Sequence, residues 1–365
     1  MSGVLAAVMS GPGRPIELRE LPLPDPQPGS AVLDVELSEI CGTDVHLLDG
    51  RLSGVPYPIV PGHVSVGTLT RLAGPLTDVH GRALHEGQRV SFLDVHGTCG
   101  HCWYCLVARA TTRCPQRRVY GITMGLEQGP AGGWSRQIYL RPGTKIIPLE
   151  SVPAARYMAG GCSLPTAVHA MDRAELRIGQ SVLILGCGPV GLSLAALARL
   201  SGAGQVLCLG APPARCATAQ RMGATGVLDI DQHDADARRE WVLAHTQGRG
   251  ADLSFEATGR AEAVVQAMRW TRDAGRVVVV GQYTDGGETS FNPHVDLNRK
   301  HLEVRGVWGS DFSHFFRALE VLRQTAGDCP WDRMECQRFG LAEAGEALEA
   351  VRRGRVVKAL VDPRR

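Results

Sequence analysis

The sequence predicts an α/β protein in two parts, a β-rich region followed by a doubly wound parallel sheet. Three observations carry this. The run Val182-Leu183-Ile184-Leu185 leads into Gly186-Cys187-Gly188-Pro189-Val190-Gly191 and then a helical stretch from Leu192 to Leu200. Apolar runs alternate with helical stretches from Ser181 onward, as strands buried on both faces of a parallel sheet do. Residues 30 to 95 instead carry short strand-like runs punctuated by Pro and Gly.

The elements follow in order. Val32 to Leu37 is strand-like and ends at a Cys-Gly-Thr-Asp turn, and Gln88 to Phe92 is a second short apolar run. Pro and Gly are dense over Pro22 to Gly29 and Gly54 to Gly62. A cysteine-rich loop spans Cys99 to Cys114, and Ala154 to Arg173 looks helical. The parallel sheet is expected to use five strands: Val182–Leu185, Gln205–Leu209, Ala251–Phe255, Arg276–Val280 and Leu302–Val307. The last run, Arg355 to Val361, is strand-like and is placed to rejoin the N-terminal region.

The bulk numbers exclude several classes. A chain of 365 residues with 44% hydrophobic and 21% charged residues has material for two globular cores. A net charge of +2 and only 5% aromatics give no surface for nucleic acid, and no apolar run reaches membrane-spanning length. Met1 to Arg14 lacks a basic segment followed by an apolar core, so the expected place is the cytoplasm. In that reducing compartment the eleven cysteines call for something other than disulfides.

The glycine loop is G-x-G-x-x-G in the context that gives it meaning, a strand before and a helix after. The glycines let backbone approach a pyrophosphate, and the helix start supplies free N–H groups. Gly186, Gly188, Pro189, Val190 and Gly191 are therefore expected to bind a dinucleotide. At the end of the second strand, where a carboxylate would hold the ribose 2′-OH, stands Gly210, followed by Ala211 to Ala214 and Arg215. That favours NADP over NAD, with the alternative that Arg215 sits on the adenosine edge in an NAD enzyme.

Cys99, Cys102, Cys105 and Cys114 place four thiols within 16 residues, the spacing of a closed tetrahedral zinc site. A closed site leaves no position for substrate, so its role is to pin a lobe with little core of its own. Reactive C-x-x-C thiols are the weaker alternative.

Cys41-Gly42-Thr43-Asp44-Val45-His46, Pro61-Gly62-His63, the cysteine loop and the glycine loop occur in that order. The chain thus resembles the zinc-dependent alcohol dehydrogenases of the medium-chain dehydrogenase superfamily over essentially its whole length. The resemblance implies a GroES-like catalytic domain over residues 1–158 and 308–365, with a zinc lobe at 97–116, and a Rossmann domain over 159–307. It implies a second, catalytic zinc on Cys41, His63 and Cys162. It gives Thr43 the alcohol proton and His46 its transfer to solvent, and has Asp44 accept the other ring N–H of His63. Trp134 and Val95 would face the substrate pocket, with His96 beside Val95. The implied reaction is hydride transfer between NAD(P) and a secondary alcohol, polyol or amino-alcohol whose oxygen lies on the catalytic zinc. A homodimer or homotetramer is the implied assembly. A lyase or isomerase that uses bound nicotinamide transiently is the alternative, and a retired binding protein is disfavoured by the retained polar set. One departure is plain: the family has Glu after the histidine, and here His63 is followed by Val64. Another is the eight residues between Cys105 and Cys114, where seven are usual. The polar stretch Phe291 to His301 reads as a solvated loop. Cys187, Cys208, Cys216, Cys329 and Cys336 read as packing residues.

Overall fold

The computed structural model describes residues 3–365. The chain divides into two compact units. The first holds the chain through Cys162 together with Asp311–Ala326 and Cys336–Arg365; the second holds Ser163–Ser310 and Gly327–Glu335.

The first unit is β-rich. Its main sheet runs in the order Cys336–Gly340, Lys358–Asp362, Ala31–Ile40, Ser65–Leu72, Arg89–Phe92 and Ile146–Pro148, with Gln137–Leu140 also pairing on Ala31–Ile40. Lys358–Asp362 lies antiparallel to Ala31–Ile40, so the last strand of the chain does return to the first unit. Much of this sheet is buried on both faces, so its apolar side chains feed two cores. Leu33, Val35, Leu69, Val90, Phe92 and Ile138 form one core, and Met9, Ile40, Leu47, Ile59, Trp134 and Val361 belong to a second.

The second unit is the doubly wound sheet, six parallel strands in the order Gly226–Asp229, Gln205–Gly210, Ser181–Leu185, Ala251–Glu256, Thr271–Val279 and Glu303–Gly306. This order reverses at Ser181–Leu185, which leads into the glycine loop, the place where dinucleotides bind in such sheets. The strand Gly226–Asp229 is absent from the five-strand expectation. It is a short edge strand with three of its four residues half-exposed, so it lacks the apolar run that marks the others.

Three further stretches take a more definite form. The helical stretch from Ala154 is made of two helices, Ala154–Gly160 and Ser163–Ala174. Gly161 breaks them with φ +46, a conformation glycine adopts at low cost. The segment Gly327–Glu335 groups with the second unit although it lies inside the span 308–365. The cause is Trp331, fully buried, whose indole N–H donates to Ser193 Oγ at 3.2 Å. The stretch 291–301 is largely exposed, as a solvated loop is, but it is anchored at two points. Asp296 is buried and pairs with Arg269 at 3.0 Å, and Lys300 Nζ donates to the Met268 carbonyl at 2.7 Å, close to the end of the Ala261–Trp270 helix.

Candidate active site

Cys41 ends the long Ala31–Ile40 strand and begins the short helix Gly42–Leu48. The sequence makes this turn through Asp44, the third helical residue. Its Oδ2 accepts the Cys41 backbone N–H at 2.8 Å, and the Cys41 sulfur accepts the Thr43 N–H at 3.3 Å. This reciprocal cap fixes where the thiol points. His63 follows Gly62, which has φ +90 and no room for a side chain; a Cβ there would come within 2.5 Å of Ser38 Oγ and Trp134 Cδ1. Cys162 is the first residue after the Gly161 break.

Three elements far apart in sequence thus converge. Cys41, His63 and Cys162 bring one sulfur, one ring nitrogen and one sulfur within 4.8 Å of one another. Cys41 Sγ and His63 Nε2 are 4.0 Å apart. Donors around a tetrahedral zinc stand about 3.6–3.8 Å apart, from bond lengths of about 2.0–2.3 Å. The Cys41–His63 pair is therefore a few tenths of an ångström wider than in a closed shell, and the chemistry of the three donors suits zinc. Electrostatics agree. Cys162 and then His63 hold the Cys41 thiol well below its ordinary range, while its proximity pushes Cys162 up. Burial pulls His63 down, but the Cys41 thiolate beside it prevails and pushes the imidazole up to about 10. The site stabilises positive charge, as a cation site should.

Asp44 acts on His63 through its charge, which raises the His63 pKa, and not through the hydrogen bond the resemblance implied. Its carboxylate turns back to cap Cys41 because it is the third residue of a seven-residue helix. Asp44 Oδ1 and His63 Nδ1 are both buried and have no hydrogen-bond partner among the described residues. The Asp44–His63 hydrogen bond is therefore not made. Thr43 and His46 lie three apart on this helix, on one face, and both are half-buried. Burial, and then Arg51, lower the His46 pKa below its ordinary value.

Trp134 is also corrected. It is 0% exposed and lies within the core, with its indole N–H donating to the Glu39 carbonyl at 3.2 Å. It packs under the Gly62-His63 turn and walls no pocket. Val95 is buried opposite Val119, next to Asp94, whose charge raises the His63 pKa. His96 turns its Nε2 to the Pro142 carbonyl at 3.1 Å.

The four-cysteine loop closes locally. Its sulfurs stand 3.6 Å (Cys102–Cys105), 3.7 Å (Cys99–Cys114) and 4.0 Å (Cys102–Cys114) apart. These bracket the tetrahedral S···S separation of about 3.8 Å. Backbone N–H groups point at the sulfurs: Cys102 to Cys99 at 3.3 Å and Cys99 to Cys114 at 3.4 Å. The N–H groups of His101 and then Cys102 lower the Cys99 thiol to about 6.

In the second unit, Gly188 caps the Pro189–Leu200 helix, with Pro189 as its first residue and Val190 its second. A Cβ on Gly191 would strike the Gly186 carbonyl at 1.8 Å, whereas one on Gly188 would meet nothing within 4 Å. The loop is therefore tight where helix meets strand and open where a pyrophosphate would approach. Gly210 abuts the loop: a Cβ there would lie 2.4 Å from Cys187 Sγ. Arg215 is the third residue of the next helix, Pro213–Arg221. A concavity at the carboxyl ends of the strands is lined by Gly186, Leu209, Ile230, Asp231, Arg238 and Thr258. Ile230, Asp231 and Arg238 follow the short strand that sequence reading passed over. Glu39 was passed over as well. This buried carboxylate accepts the Cys162 N–H at 2.7 Å. The acid itself is visible in the run Leu37-Ser38-Glu39-Ile40, but its partners lie far away in the sequence.

Known proteins agree with this picture. Residues 27–151 match the alcohol dehydrogenase GroES-like domain, and residues 189–324 match the zinc-binding dehydrogenase domain. The chain is 29% identical to a 5-exo-hydroxycamphor dehydrogenase of Pseudomonas putida, over 98% of each chain. It resembles the solved alcohol dehydrogenase of Thermotoga maritima at 30% identity and TM-score 0.91, covering 98% of this chain and 99% of that one. A protein of Sinorhizobium meliloti 1021, described as a zinc-binding dehydrogenase and solved with NADP bound, matches at 28% identity and TM-score 0.85 over the full length of both. No helix among the described residues is long and apolar enough to cross a membrane. The chain belongs to the zinc-dependent alcohol dehydrogenase family of medium-chain dehydrogenases and is a zinc- and NAD(P)-dependent oxidoreductase acting on alcohols.

Proposed function

We propose that the chain binds two zinc ions and oxidises a secondary alcohol, polyol or amino-alcohol with NADP as the favoured cofactor. The observation that carries the catalytic part is the convergence of Cys41, His63 and Cys162 with donor spacing suited to zinc. When bound, zinc supplies Lewis acidity toward an alcohol oxygen and the nicotinamide supplies a hydride acceptor. Three protein donors hold the metal and leave room for a substrate. Thr43 accepts the alcohol proton through its hydroxyl, and His46 passes it to solvent. Burial keeps His46 neutral near pH 7, the form able to take a proton. Val95, beside Asp94, borders the substrate position. The four cysteines Cys99, Cys102, Cys105 and Cys114 hold a structural zinc.

Gly186, Gly188, Pro189, Val190 and Gly191 cradle the pyrophosphate. Gly210 supports NADP because no carboxylate stands there to repel a 2′-phosphate, and Arg215 follows with a positive charge. Asp231, in the same concavity, is the observation that favours NAD. The hydroxycamphor dehydrogenase and the NADP-bound relative support an alcohol substrate and this cofactor. These relatives lend no support to the lyase or isomerase alternative. The family resemblance supports a homodimer or homotetramer, and the composition supports a cytoplasmic place. An alcohol panel scored for NADH and NADPH formation tests the whole reading. Arg215→Ala should raise KM for NADP about tenfold, the worth of one charge-assisted hydrogen bond, and leave KM for NAD unchanged. A wild-type preference for NAD would overturn the cofactor assignment.

A further inference from the structure

We propose that Glu39 and Lys358 form a buried clasp that positions Cys162 for the three-donor site. The proposal rests on reading Cys41, His63 and Cys162 as zinc ligands. Both side chains of the pair are 1% exposed, with Lys358 Nζ 2.9 Å from Glu39 Oε1. The other carboxylate oxygen, Oε2, accepts the Cys162 backbone N–H at 2.7 Å, and Oε1 lies 3.5 Å from Cys162 Sγ. Lys358 spends its remaining donors on the same turn, giving one to the Ala159 carbonyl at 3.0 Å and one to that of Gly160 at 3.2 Å. All three ammonium donors are thus used. Acid and base together hold both ends of the turn from Ala159 to Cys162.

The turn fits closely on the pair. A Cβ on Gly161 would fall 2.0 Å from Glu39 Oε2 and 2.5 Å from Lys358 Nζ. Glu39 stands two residues before Cys41. Strand register pairs Leu360 with Glu39 and Ala359 with Ile40, which brings Lys358 alongside. The clasp therefore ties the strand that delivers Cys41 to the turn that delivers Cys162. Its charges cancel, so the carboxylate adds no net charge to the donor set. A buried ion pair is a poor source of stability, since apolar residues of like size often serve as well. A positional role accounts for this one.

The experiment is zinc affinity by chelator competition, on full-length wild type, Glu39→Gln, and the double variant Glu39→Leu/Lys358→Met. Cobalt substitution adds the thiolate-to-metal absorption of the three-donor site. Both variants should bind zinc at that site about 10–100-fold more weakly and show an altered cobalt spectrum, as loss of a ligand-orienting partner does. The four-cysteine zinc should remain and report folding. The double variant leaves no lone buried charge, so it tests the proposal even where Glu39→Gln fails to fold. Wild-type affinity and an unchanged cobalt spectrum in the double variant would overturn the proposal and leave the pair a packing feature. A wild type that holds zinc only on the four cysteines would instead overturn the ligand reading beneath it.

Discussion

The two donor clusters are built in opposite ways. Cys99, Cys102, Cys105 and Cys114 come from one loop, and three of the four are half-exposed. Their geometry is set by backbone N–H groups of the loop itself. Cys41, His63 and Cys162 come from a strand end, a loop and a helix break; Cys41 and His63 are buried, and side chains from elsewhere in the sheet hold the set. The lesson is that a local cluster contributes to the fold around it, whereas a dispersed cluster depends on the fold. Metal loss should therefore loosen the first region and disable the second.

The largest effect should come from the dispersed set. Cys41→Ser should cut kcat/KM for alcohol oxidation about a thousandfold or more, the worth of several kcal/mol of Lewis-acid stabilisation, while the lobe keeps its zinc. Steady-state kinetics with metal analysis checks this. Activity within about tenfold of wild type would break the comparison.

A smaller effect, about a hundredfold, is expected for His46→Gln. Burial and then Arg51 place the His46 pKa below 6.5. Its neutral form thus persists at neutral pH, and oxidation should slow only as pH falls through that lowered value. The variant should lose this acid limb. The same shift has a stability sign. The unfolded chain takes the proton more readily, so acidification from about 6.5 toward the folded pKa favours unfolding. His46→Gln should flatten that dependence in pH-resolved thermal melts.

The smallest effect on turnover should come from the lobe. Cys99→Ser should release one zinc, leave kcat near wild type and make residues 97–116 the first site of limited proteolysis. Loss of turnover with an intact lobe would mean the two clusters are not separable in this way.

The same contrast governs what the sequence reveals. The four cysteines and the glycine loop are legible because their meaning lies in spacing over a few residues. Cys162 could be placed only through the family resemblance, since the helix break at Gly161 that aims it leaves no periodic mark. Trp134 and Asp44 make contacts other than those the resemblance implies, for a related reason. Family position put them near the site, but local packing decided their partners: the core and the Glu39 carbonyl for one, the Cys41 cap for the other. Val64 looked like a missing carboxylate beside His63. In the folded chain a buried carboxylate does reach the donor set, from Glu39, and sequence distance from Lys358 and Cys162 concealed it. The edge strand Gly226–Asp229 was too short and too exposed to read.

Two zinc sites, one local and one dispersed, are proposed for the chain. Zinc content per chain, measured on wild type, Cys41→Ser and Cys99→Ser, tests this proposal most directly. Wild type should hold about two ions and each variant about one, set by two independent ligand groups. A single ion in wild type, lost in Cys99→Ser and kept in Cys41→Ser, would contradict it.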